Sequence, residues 1–109
     1  VKLSHIISAL ELKCLTKVDG DREVVGAYTS DLLSDVIANC QEGQLWITLQ
    51  GHQNIIAVAL LNDLAGVIIT CGYPPNPDTI DRANEKGIAL FATDLNSYQV
   101  SGKLYELLR

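Results

Sequence analysis

Four short apolar runs recur along this chain at a nearly constant interval, beginning near residues 24, 45, 67 and 88, and each is followed by a segment with helical spacing. An interval of 21 to 22 residues holds one strand, one helix of about three turns and two short loops. Runs such as Leu45-Trp46-Ile47-Thr48-Leu49 and Val67-Ile68-Ile69-Thr70 are almost continuously apolar rather than alternating. Such strands are buried on both faces, and strands joined through helices run parallel. The repeat therefore predicts an α/β fold with a mostly parallel, helix-covered sheet.

The remaining segments fit around that repeat. Leu3, Ile6, Ile7 and Leu10 form the apolar stripe of a short helix, residues 12–16 read as a short strand, and residues 18–22 as a polar turn. Helices are predicted over about 32–40, 54–64, 77–86 and 97–108. Gly43, Gly66 and Gly87 each lie just before the next strand, where a helix-ending glycine belongs. Asn76-Pro77 supplies a cap followed by proline at the first helical position. No linker, low-complexity run or charge block interrupts the pattern, so residues 1–109 read as one domain. That length buries enough surface to fold without metal or disulfide staples.

Composition narrows the function classes. Thirteen acids against eight lysines and arginines give a net charge of -5, which argues against nucleic acid and against anionic membrane surfaces as partners. The longest apolar stretch, residues 55–61, is too short to span a bilayer. The opening Val1-Lys2-Leu3-Ser4-His5 has no signal-peptide pattern, so a cytoplasmic location is expected. Cys14, Cys40 and Cys71 are odd in number and contain no CxxC. They read as reduced, mostly buried thiols rather than a zinc site.

Two helices depart from the amphipathic norm. Residues 55–61 are apolar around the whole helix, so the side away from the sheet must meet another helix or a second copy of the chain. The last helix carries Gly102 in its middle, a residue that permits close backbone approach. A homodimer is the expected explanation.

In open parallel sheets, ligands collect beyond the carboxyl ends of the strands. Those ends carry Ser30 and Asp31, then Thr48, Gln50, Gly51, His52, Gln53 and Asn54, then Thr70, Cys71 and Gly72, then Thr93-Asp94. All of these but Thr93-Asp94 make the candidate ligand-binding set, with backbone N–H groups near His52 pointing toward any anion. Ser30, Asp31, Asn54, Asn76 and Asn96 are also the residue types that cap helices, and that role is expected first. Cys71 and His52 would form a thiolate–imidazole pair if they met, but no third residue orients it. Asp31 and Asp94 together are a weak Mg²⁺ candidate, two carboxylates on separate loops. Trp46 reads as core, and Tyr73 as an aromatic facing a ligand or packed on prolines. Neither GxGxxG, GxxxxGK[ST] nor HExxH occurs. No catalytic residue, metal or cofactor is predicted.

The runs Ala27-Tyr28-Thr29-Ser30-Asp31-Leu32-Leu33-Ser34, Leu45-Trp46-Ile47-Thr48-Leu49-Gln50-Gly51-His52-Gln53-Asn54, Gly66-Val67-Ile68-Ile69-Thr70-Cys71-Gly72 and Ser101-Gly102-Lys103-Leu104 resemble the small stand-alone members of the DRTGG domain family. The sequence departs from the signature at His52-Gln53, where the family has Asp-Arg, and at Cys71, where Thr-Gly-Gly has its first glycine. The resemblance implies a three-layer α/β/α sandwich like the N-terminal domains of HPr kinase and Mur ligase. It also implies a regulatory role: such domains accompany CBS pairs in regulated pyrophosphatases, precede the catalytic part of some phosphate acetyltransferases, and commonly contribute to dimer contacts. A kinase label does not follow, because the phosphate-binding loop of HPr kinase lies in another domain.

The sequence thus leads to a non-catalytic, homodimeric sensor of a nucleotide or small phosphorylated metabolite. The alternative is an assembly module that recruits a protein partner and has no small-molecule ligand.

Overall fold

The computed structural model describes all 109 residues. The chain runs α1 (Leu3–Leu10), β1 (Lys13–Cys14), β2 (Gly26–Thr29), α2 (Leu33–Asn39), β3 (Gln44–Thr48), α3 (Asn54–Leu61), β4 (Gly66–Ile69), α4 (Pro77–Lys86), β5 (Leu90–Ala92) and α5 (Ser97–Leu108). One five-stranded sheet has the order β1-β5-β4-β3-β2. β2 through β5 are parallel neighbours, and β1 adds antiparallel to β5 with Lys13 opposite Ala92. No helix is long and apolar enough to cross a membrane.

This order decides where the helices go. Successive parallel strands add in one direction, so right-handed crossovers put α2, α3 and α4 all on one face. Trp46, Val67, Ile69 and Leu90 point to that face and pack with Val36, Ile55, Ile56 and Ala83. Leu45, Ile47, Ile68 and Phe91 point the other way, onto Leu3, Ile6 and Leu10 of α1 and Val100 and Leu104 of α5. The result is the three-layer α/β/α sandwich implied by the resemblance.

One open alternative is resolved, and three expectations need correction. The all-apolar helix α3 sits between α2 and α4. Its own chain therefore covers Ile55, Ile56, Val58 and Ala59, and only Leu60 and Leu61 stay exposed among its large side chains. Gly66 does not end a helix: the left-handed residue after α3 is Asp63, at φ 50. Gly66 instead opens β4, where a Cβ would lie 3.0 Å from both Ala89 O and the Phe91 ring. Cys14 and Cys71 are exposed, and only Cys40 is buried. Lastly, β5 spans Leu90–Ala92, later than the 88–91 run; ahead of it the Ile88 carbonyl accepts from Thr16 Oγ1.

Candidate functional site

The loop after β2 and the loop after β3 are bound to each other. Asp31 Oδ1 accepts from Thr48 Oγ1 at 2.8 Å and from Leu49 N at 2.7 Å. Gln50 Nε2 donates to Asp31 O at 3.0 Å, and Gln50 N donates to Thr48 Oγ1 at 3.1 Å. Asp31 is thus a tie between strand ends and not a helix cap. Ser30 Oγ accepts from Leu32 N at 3.2 Å, a short turn ahead of α2. Thr48 and Thr70 are fully buried, and Thr70 Oγ1 is 2.8 Å from Ser97 Oγ.

The start of α3 is capped differently from the expectation. Asn54 lies inside the helix, while His52 Nδ1 accepts from Asn54 N at 3.1 Å. That bond places the imidazole proton on Nε2, which leaves an exposed donor beside the exposed Gln53. Gly51 is held by the next loop: its carbonyl accepts from Thr79 Oγ1 at 2.7 Å and Asn76 N at 3.1 Å. Asn76 marks the start of α4 without a side-chain cap bond, whereas Asn96 and Gln99 form a full capping box on α5.

The loops after β4 and β5 are laced by main-chain bonds, Cys71 N to Leu95 O at 2.7 Å and Gly72 N to Thr93 O at 2.9 Å. Both turn residues are left-handed, Cys71 at φ 63 and Gly72 at φ 69. A Cβ on Gly72 would lie 3.0 Å from Asp94 Oδ1, so glycine lets that carboxylate rest against the turn. Beyond this point the loops part. The β4 loop leads to α4 on one face of the sheet, and the β5 loop leads to α5 on the other.

A cleft of about 820 Å³ opens at that parting. Gly72 to Pro75 and Ala92 to Leu95 form two of its walls, and α1, the start of β1, α4 and α5 contribute the others. Tyr73, singled out from the sequence, is exposed and lines it. Lys13, Lys103 and Glu11 also line it, and sequence reasoning missed all three. Only the antiparallel return of β1 brings Lys13 to the carboxyl end of β5, and strand direction leaves no mark in residue spacing.

The structure does not assemble the other sequence candidates into reactive groups. No hydrogen bond joins Cys71 to His52; His52 Nδ1 is engaged by Asn54 N. Asp31 and Asp94 follow β2 and β5, which have β3 and β4 between them, a separation of roughly 14 Å at the sheet spacing. No three His, Cys, Asp or Glu side chains converge. Cys40 lies in the core, where burial pushes its thiol up to about 11.

Comparison with known proteins finds a family model and similar solved structures. The family model of the DRTGG domain matches residues 5–107. Among solved structures, the chain is similar to the CBS and DRTGG domains of the regulatory region of Clostridium perfringens pyrophosphatase, complexed with its activator diadenosine tetraphosphate. The TM-score is 0.72 at 17% identity, covering 94% of this chain and 45% of that one. The chain thus spans less than half the length of that regulatory region. Among curated proteins none matches.

Proposed function

Because this chain belongs to the DRTGG domain family, we propose that it is a non-catalytic regulatory domain that binds a small phosphorylated metabolite or nucleotide at the carboxyl end of its sheet. The cleft between the diverging β4 and β5 loops carries this reading. Ligands of open α/β sheets bind where neighbouring strand-end connections leave toward opposite faces. The volume lies within the range of small-molecule sites. Of the candidate ligand-binding set, Gly72 lines this cleft with Cys71 beside it, and Tyr73 and Asp94, also noted in the sequence, line it too. His52 and Gln53 stand exposed one loop away. The nucleotide activator of the structurally similar regulatory region supports the same ligand class.

The test is thermal unfolding followed by Trp46, which is fully buried and reports the core. The panel comprises adenine and guanine nucleotides, cyclic dinucleotides, acetyl phosphate and sugar phosphates. A ligand at a hundred times its dissociation constant adds roughly 2.7 kcal/mol, about ten degrees for a domain this small. A flat panel would sink the sensor reading.

A second reading, a homodimeric assembly module, draws on the exposed apolar Ile37 of α2 and Leu60 and Leu61 of α3. It predicts concentration-dependent dimerisation without any ligand effect.

A further inference from the structure

The cleft brings together opposite charges that the fold leaves unused. Lys13 of β1 and Lys103 of α5 line it, as do Glu11 and Asp94. The chain's four ion pairs join Val1 to Glu23, Lys2 to Asp21, Arg22 to Asp63 and Arg109 to Glu106. None involves a cleft residue. Two of the eight lysines and arginines thus face one cavity without a carboxylate partner, although the chain is acidic. Beside them the wall is apolar at Leu10, Leu15, Ile80 and Leu95, and Tyr73 stands at the rim with 56% of its surface exposed.

A simple phosphate would satisfy the lysines alone. It would leave most of about 820 Å³ empty and offer nothing to Tyr73, the apolar wall or the carboxylates. A ligand that answers every part of the wall needs an anionic end, hydroxyl or amine donors, and a flat apolar ring. We infer that the cleft takes a nucleotide: its phosphate between Lys13 and Lys103, its ribose hydroxyls donating to Asp94, and its base against Tyr73. This rests on the sensor reading above and fixes its ligand class and its contacts. The charge-assisted phosphate bonds supply affinity, and the aromatic face supplies sequence-tolerant stacking of the base.

The experiment measures binding of AMP and GMP by calorimetry on the full chain, with ribose 5-phosphate, adenosine and acetyl phosphate as comparison probes. Wild type should bind at least one of the two nucleotides, and bind ribose 5-phosphate and adenosine at least tenfold more weakly. The double variant Lys13→Gln/Lys103→Gln and, separately, Tyr73→Ala should each lose at least tenfold in nucleotide affinity. His52→Ala/Gln53→Ala should bind as wild type does. All three variants change exposed side chains, and their unfolding curves report whether each is folded. Nucleotide binding that survives the lysine or tyrosine changes but fails in the His52/Gln53 variant overturns this assignment and leaves the sensor reading standing. So does a chain that binds acetyl phosphate or ribose 5-phosphate and neither nucleotide. Absence of binding by every probe overturns both.

Discussion

Cys71 holds φ 63, a conformation that glycine adopts freely and a side chain with a Cβ does not. It precedes Gly72, at φ 69, so the turn holds two consecutive left-handed residues and only the second is a glycine. Replacing Cys71 by glycine removes local strain of about 1 kcal/mol and adds unfolded-chain entropy of similar size. The glycine variant is therefore expected to equal or slightly exceed wild type in stability, and Cys71→Val to fall at least about 1 kcal/mol below it. Urea unfolding decides; a glycine variant clearly less stable than wild type would contradict the strain argument.

A second residue-scale group is Asp35. Hydrogen bonds from Ser30, Tyr28 and Asn39 hold its carboxyl below the usual range. Tyr28 Oη reaches both carboxylate oxygens, at 3.0 and 2.9 Å. The bond to Asp35 in turn pushes the Tyr28 hydroxyl up. A lowered carboxyl stabilises the fold above its unfolded value, and the gain fades as pH falls through the folded one. A raised phenol stabilises below its unfolded value, and that gain fades as pH rises past the folded one. The wild-type advantage over Asp35→Asn should hold from about pH 5 to 9 and shrink on the acid side below about pH 4. Melting curves across pH would show a constant difference if the network were irrelevant.

At the scale of elements, the end of α2 depends on a residue far along the chain. Asn62 Nδ2 donates to the carbonyls of Val36, Ile37 and Cys40 at 3.2, 3.0 and 2.9 Å. The Ile37 and Cys40 carbonyls have no main-chain donor at this helix end, whereas Val36 O also accepts from Cys40 N at 2.8 Å. Asn62→Ala should cost about 1–2 kcal/mol and raise amide exchange of α2 before that of α5. Equal loosening of both helices would mean the bond does no local job. Element existence was legible because the apolar period is local, whereas of the three glycines expected to end helices only Gly87 does so. Caps were less so: Asn96 behaves as its type suggests, but His52 takes the role expected of Asn54 and Asp31 reaches across to β3. Several partners compete for each short polar side chain, and only their positions in space choose among them.

At the scale of the whole molecule, α3 shows why an all-apolar helix does not by itself call for a second copy. Three crossovers on one face make the middle helix an interior element, flanked on both sides. Val58→Asp therefore places a charge in the core and should prevent folding. Leu61 is 70% exposed, so Leu61→Asp should fold with wild-type melting behaviour. Under the assembly reading, sedimentation finds wild type dimeric and Leu61→Asp monomeric; identical profiles for the two would remove this face as the contact.

The sequence by itself determined the strand–helix alternation, the burial of Trp46 and the β3 and β4 strands, the start of α4 at Pro77 and the polar character of the strand ends. All of these follow from neighbours along the chain. Only the tertiary structure decided that α5 crosses to the face opposite α4, that β1 returns antiparallel, and that Lys13 and Lys103 consequently meet one cleft beside Gly72 and Tyr73. Strand order and strand direction are set by packing two apolar faces at once, and residues brought together that way share no spacing in the sequence.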